Sequence, residues 1–188
     1  SLSLAGDIEL VALGDRYDPI LEEALAAVSR QGGAELAQGL AQYECPEVMA
    51  AEAQLDGVVV ASRTDDHVRD SRSFTDRGIP VMMEKPFANS IAEAVEYTRV
   101  LGDAGGRLIQ VGLQRHYDPA GQIAMKWVSR GLIGDLQQTH HVLQDKNPTP
   151  ADYQSTGLTA DMAIHLVYEA MSFRAFEMPV RVQAVRFL

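Results

Sequence analysis

The chain has 188 residues, 46% of them apolar, and a formal net charge of −10. That is enough apolar material for a sizeable core and too much for a disordered chain, and the acidity makes a phosphate backbone an unfavourable partner, so no nucleic acid is expected. The single cysteine, Cys45, excludes an internal disulfide and a cysteine-rich zinc site and fits a reducing cytoplasm.

In chain order, Ser1 to Asp7 lacks the basic start of a signal peptide, and no apolar run is long enough for a membrane span. Ile8–Leu13 reads as a strand that ends at Gly14-Asp15. Asp18-Pro19 supplies an N-cap and a proline at the first helical position. Ile20, Leu21, Ala24, Leu25 and Val28 then recur with helical period until Gly32-Gly33. Leu55–Ala61 is a valine-rich buried strand, followed by a helix from about Asp66 to Arg77 closed by Gly78. Pro80–Met83 is the next strand and runs into Glu84-Lys85-Pro86. Ser90-Ile91-Ala92-Glu93 is a capping box that opens a helix ending at Gly105-Gly106, and Leu108–Gly112 is a further strand. Strands separated by helices mean βαβ units and a mostly parallel sheet.

The pattern changes near Tyr117. Asp118-Pro119 starts a helix through Ile123, Trp127 and Val128 to Gly131. Leu136–Gln144 alternates like an antiparallel strand, and Asn147-Pro148-Thr149-Pro150 is a loop. Asp161–Phe176 is helical with an apolar stripe of Ile164, Val167, Ala170 and Met171, and Val180–Phe187 alternates strictly, as a half-exposed strand does. The expected fold class is α/β: an incomplete Rossmann-type parallel sheet over residues 1–117, then part of an α+β substrate domain over residues 118–188.

Lys85 follows four apolar residues at the carboxyl end of a parallel strand, the edge where open α/β sheets bind ligands. A solvated strand-end lysine is the plainer reading; burial would lower its pKa and ease proton exchange with a hydroxyl. Asp161 and His165 lie four apart, on one helix face. They are either an N-cap aspartate and an unrelated histidine, or a pair in which the carboxylate orients the imidazole. His140 and His141 are strand neighbours facing opposite ways, so no metal site is expected. Met82, Met83 and Trp127 are expected in the core.

Several motifs, in this order and spacing, resemble the Gfo/Idh/MocA family of NAD(P)-dependent sugar and cyclitol oxidoreductases. They are Val11–Asp15, Glu84-Lys85-Pro86-Phe87, Gln110–Asp118, Gly131-Leu132-Ile133-Gly134 and Asp161-Met162-Ala163-Ile164-His165. The resemblance spans Glu9 to Val185 and implies hydride transfer between a nicotinamide cofactor and a secondary alcohol of a sugar, inositol or related polyol. It implies that His165 and Lys85 share the substrate hydroxyl, with His165 as general base, Lys85 orienting it and Asp161 tuning them; Lys85 and His165 could exchange roles. The bond before Pro86 is often cis in this family. Asp15 would accept the adenosine ribose hydroxyls, which favours NAD over NADP, with Arg16 softening that preference. Ser62, Thr64 and His67 stand where the family contacts the dinucleotide, although a surface loop explains them nearly as well. Glu84 matches the residue near the nicotinamide ribose. Gln114 and Arg115 match positions lining the cleft, with a surface ion pair the other reading of Arg115. Asp145, Lys146 and Asn147 match substrate-contacting positions or are solvated loop residues. A homo-oligomer is implied as well.

The sequence departs from the family in lacking a G-x-G-x-x-G loop before Ile8, since Gly32-Gly33 follows a helix, and it stops within a strand signal. The expectation is a chain truncated at both ends. It is either a fragment of a conventional dehydrogenase or a reduced relative, and a non-catalytic carbohydrate-binding or assembly module is the alternative function. Leu166 and Tyr168 also stand where the family often has acidic residues.

Overall fold

The computed structural model describes residues 8–102, 108–144, 157 and 159–185. The chain divides into two compact units, Ser1–Gly112 and Leu113–Leu188.

In the first unit, strand β1 (Ala12–Gly14) leads to helix α1 (Asp18–Gly32), and α2 (Ala34–Gly39), β2 (Ala41–Tyr43) and α3 (Pro46–Glu52) follow. Then come β3 (Val58–Val60), a single 3-10 turn (Thr64–Asp66), α4 (His67–Thr75), β4 (Val81–Met83), α5 (Ile91–Leu101) and β5 (Ile109–Val111). All pairings are parallel. β1 lies beside β2 in one sheet, and β3, β4 and β5 form another, with Val58 opposite Val81 and Val81 opposite Ile109. The break between β1 and β3 falls where a doubly wound sheet of order 3-2-1-4-5-6 carries its first strand. The fold is therefore Rossmann-type α/β.

Burial follows from composition. β4 is central in its sheet, so Val81 and Met83 are 2% and 0% exposed. They join Ala12, Met49, Ala50, Val60 and Phe74 in one cluster. Helix α4 turns His67, Asp70, Ser71 and Phe74 inward, the i, i+3, i+4, i+7 stripe of a helix packed on a sheet. Ser71 Oγ donates to Met83 Sδ at 3.1 Å, and Thr75 and Tyr97 join their hydroxyls at 3.1 Å.

Several expectations shift. Residues 8–11 are not strand, and Ile8 is 75% exposed; pairing starts where Ala41 N donates to the Val11 carbonyl. Tyr17, not Asp18, caps α1, which places the Asp18 carboxylate in the first turn, where the helix dipole favours it. Elements α2, β2 and α3 were not anticipated. The capping box is displaced: Ser90 Oγ accepts from Glu93 N, but the Glu93 carboxylate reaches back to Asn89 N. Helix α5 stops at Leu101 because Gly102 adopts φ 53°; the expected stop at Gly105-Gly106 lies outside the described residues.

The second unit contains a 3-10 turn (Gln114–Tyr117), helix α6 (Pro119–Ser129), a π-helical turn (Thr159–Ala163) and helix α7 (Ile164–Phe173). Asp118 caps α6 as expected, its Oδ1 accepting from Ala120 N and Gly121 N. No strand occurs among the described residues of this unit, so the strands expected at Leu136–Gln144 and Val180–Phe187 are corrected over residues 136–144 and 180–185. Alternation specifies faces, but a strand also needs a partner for its backbone groups. The Leu136 carbonyl instead accepts from Arg174 at 3.4 Å, and Val180 and Val182 stand in solvent. Met82 and Trp127, both expected in the core, are 46% and 54% exposed. Of the stripe predicted for α7, Ile164, Ala170 and Met171 are half-buried but Val167 is exposed, and the buried residue of this helix is His165.

Candidate active site

Parallel strands end on one edge, and the first unit places its predicted residues there. Asp15 follows β1, Ser62 follows β3, Glu84 and Lys85 follow β4, and Gly112 follows β5. Asp15 N donates to the Tyr43 carbonyl at 3.1 Å, and Asp15 Oδ1 accepts from Tyr17 N at 2.9 Å, an Asx turn that fixes the carboxylate at the strand end. Glu84 N bonds the Val60 carbonyl, and Lys85 N bonds Glu84 Oε2 at 3.0 Å. The Lys85-Pro86 bond is cis and Lys85 is half-buried. Gly112 N donates to the Met83 carbonyl at 2.7 Å.

His67 is 2% exposed and braces two loops of that edge. Its Nδ1 lies 2.8 Å from the Pro86 carbonyl oxygen and its Nε2 2.9 Å from that of Ser62, so either tautomer ties one loop to α4. Thr64 opens the 3-10 turn between Ser62 and His67. Asn89 Nδ2 donates to Asp65 at 2.9 Å, which joins the same loop to the segment before α5.

Arg16 is held rather than presented. Its Nη1 and Nη2 donate to the two oxygens of Asp70 at 3.1 and 2.8 Å, and Glu47 stands 3.8 Å away. Asp70 is 3% exposed. Burial is the largest influence and works against its charge, but the Arg16 guanidinium, with Ser62 and Arg69 adding to it, holds the carboxyl below the usual carboxylate range. Ser62 does so from outside hydrogen-bond geometry, for Ser62 Oγ is buried and without a hydrogen-bond partner. The half-buried Asp15 carboxylate at the end of β1 is an acceptor suited to ribose hydroxyls.

In the second unit, Asp161 and His165 are each 8% exposed, on consecutive turns where the π-helical turn passes into α7. π-turns inside helices recur at functional sites. One turn further on, Glu169 Oε2 lies 3.5 Å from Arg115 and 3.4 Å from His141 Nδ1. His116 packs edge-on against Tyr117 and Tyr168. Burial, with Tyr117 adding to it, pushes the Tyr168 hydroxyl up. Gln114, Arg115, Tyr117, Glu169 and Phe173 line an open cleft of about 670 Å³. His140 is exposed while its neighbour His141 is half-buried, and no three metal-ligating side chains cluster among the described residues.

The first unit thus gathers Asp15, Arg16, Ser62, Thr64, His67, Glu84 and Lys85, and the second gathers Asp161 and His165 on one helix and Gln114 and Arg115 at one cleft. Asp145, Lys146 and Asn147 lie outside the described residues. Two residues escaped the sequence reading. Asp70 had a signal: it falls on the inward stripe of α4, and a carboxylate there needs a cation. Glu169 had a weaker one, its place one turn after His165.

Residues 5–113 match the Gfo/Idh/MocA oxidoreductase family, described by its NAD-binding Rossmann fold. The inositol 2-dehydrogenase of Rhizobium meliloti is 29% identical over 184 residues, covering 95% of this chain and 51% of that protein. The structure of a myo-inositol dehydrogenase from Corynebacterium glutamicum superposes with a TM-score of 0.73 at 28% identity, covering 89% of this chain and 48% of that one. The scyllo-inositol dehydrogenase of Lactobacillus casei, solved with NAD(H) and scyllo-inositol, shares the fold at 22% identity and a TM-score of 0.68, over 92% of this chain and 51% of that one. This chain spans about half the length of the curated relatives it matches over nearly its whole extent.

Proposed function

Since this chain belongs to the Gfo/Idh/MocA oxidoreductase family, we propose that it acts as an NAD-dependent dehydrogenase on a secondary alcohol of an inositol, a sugar or a related polyol. The observation that carries this reading is the carboxyl edge of the first unit, where parallel strands end on Asp15, Ser62 and Glu84-Lys85. The inositol dehydrogenases among its relatives favour a cyclitol as the substrate class.

A nicotinamide ring, when bound, supplies the hydride acceptor. In this reading the first unit is the cofactor domain. Asp15 accepts from the adenosine ribose hydroxyls, Ser62 and Thr64 line the path of the phosphates, and Glu84 serves the nicotinamide ribose. The second unit is the substrate and oligomerisation domain, with Gln114 and Arg115 bordering its cleft. His165 takes the hydroxyl proton, Asp161 sets its orientation, and Lys85 orients the hydroxyl and offsets the negative charge that develops on its oxygen. Exchange of the roles of Lys85 and His165 leaves the chemistry unchanged. Asp145 and Asn147 are substrate contacts. The protein works as a cytoplasmic homo-oligomer.

The test is NADH formation from NAD with inositols and sugars, alongside Lys85→Ala and His165→Ala. Each substitution lowers turnover by about a hundredfold or more, as expected when an acid-base group is lost. Undiminished turnover in both variants overturns the assignment. Binding of polyol with no detectable binding of NAD replaces the dehydrogenase with a carbohydrate-binding module.

A further inference from the structure

Arg16 directly follows Asp15 at the end of β1. In dinucleotide folds an acidic residue near this place reads the ribose 2′-hydroxyl, and a nearby arginine accommodates a 2′-phosphate. Side by side, Asp15 and Arg16 give opposite instructions, and the fold decides between them elsewhere.

We infer that Asp70 is a specificity-determining positioning residue: it holds the Arg16 guanidinium in a two-pronged pair, so that the ribose pocket beside Asp15 takes a nicotinamide dinucleotide with a free 2′-hydroxyl and rejects one bearing a 2′-phosphate. The inference rests on the reading of the first unit as a cofactor domain. Both prongs are short, 3.1 and 2.8 Å, the fork-to-fork geometry that makes arginine–carboxylate pairs strong. The Asp70 side chain is 4% exposed and that of Arg16 31%. Pulling the arginine toward an incoming phosphate would strip the buried carboxylate of its two-pronged partner and leave it only the single contact from Arg69, which is costly. An exposed arginine carries no such penalty.

The neighbouring charges act in the same sense. Glu47 lies 3.8 Å from Arg16, and Asp66 adds to the negative field around it. The other cation of the cluster, Arg69, is also engaged, 2.7 Å from Asp66 and 3.2 Å from Asp70. Asp15, Glu47, Asp66 and Asp70 thus outnumber Arg16 and Arg69, and a phosphate dianion meets net repulsion where a ribose hydroxyl meets an acceptor.

The experiment titrates the 188-residue chain with 5′-AMP and with adenosine 2′,5′-bisphosphate by calorimetry, comparing the wild type, Asp70→Asn, Asp70→Ser and the double variant Asp70→Asn/Arg16→Gln. The wild type prefers 5′-AMP. Either single variant shifts the affinity ratio at least about tenfold toward the bisphosphate, and the double variant returns it toward the wild type, because the gain passes through Arg16. A merely structural role for Asp70 would weaken both ligands alike and leave the ratio unmoved, and that result overturns the clamp. Nitrogen-15 NMR of the wild type alone supplies a second check: the clamped guanidinium shows separate, slowly rotating Nη groups, and a freely rotating one overturns the proposal even where the variants fail to fold. Absence of binding by either nucleotide in every variant overturns the cofactor reading itself, and the clamp falls with it.

Discussion

The two units handle polar groups in opposite ways. In the first, apolar side chains fill a cluster between sheet and helices, and the buried charge of Asp70 is matched by a guanidinium. Among the described residues of the second, those most withdrawn from solvent are the polar Asp161 and His165, while Trp127, Val167 and Val182 stand exposed. A unit whose core is apolar draws its stability from burial. Burying polar groups carries a cost that hydrogen bonds and packing must offset.

The sharpest way to break this comparison is to delete an aromatic ring from each unit. Phe74 is 2% exposed, so Phe74→Ala should cost about 3–5 kcal/mol in urea unfolding followed by circular dichroism. Trp127→Ala removes a larger ring that is 54% exposed and should cost about 1 kcal/mol or less. Equal losses would mean that the second unit has an apolar core of its own.

Next in size is the buried charge. Asp70 has its folded-state pKa depressed, so its pair with Arg16 contributes stability at pH values above the ordinary carboxylate pKa of about 4, and that contribution fades as pH falls through the folded value. Asp70→Asn should therefore lose about 2 kcal/mol at neutral pH, the worth of a charged hydrogen-bonded pair, and converge on the wild type in acid. A difference that stays constant across the acid range would show that the carboxylate charge has no part in it.

What the sequence made legible follows from how local each signal is. The valines of β3, the apolar run of β4, the Ser90 cap and the Asp118-Pro119 start of α6 each specify their element from within a few residues, and each is found. For the candidate site, spacing gave only positions, Lys85 at a strand end and Asp161 and His165 four residues apart, and the family resemblance implied their roles. The rest depended on distant partners. The strands expected around Leu136 and Val180 needed a neighbouring edge, and Arg16 read as a cofactor contact until Asp70, more than fifty residues away, fixed its guanidinium. Period alone misjudged Val167 in α7, where the buried position is His165.

The helix caps should lose less and lose alike. Ser90 Oγ accepts one backbone N–H in the first unit and Asp118 Oδ1 accepts two in the second. Each change to alanine should cost about 1 kcal/mol. Equal local chemistry with unequal global cost would show that the units unfold separately, which a two-step urea transition would reveal.

The smallest effect decides the most about the second unit. Val182 is 78% exposed, and Val180, its alternating neighbour two residues before, is 105% exposed. On a solvated segment, Val182→Lys should shift stability by no more than about 0.5 kcal/mol, since an exposed side chain loses no packing and lysine is at home in water. A loss above about 1 kcal/mol would mean that the valine is covered in solution. The melting temperature then separates two ways of covering it. If it rises with protein concentration in the wild type and not in the variant, a second copy of the chain supplies the cover and the alternation is an interface signal. If it is independent of concentration in both, the cover comes from within the chain, and the segment pairs as the strand that its alternation describes.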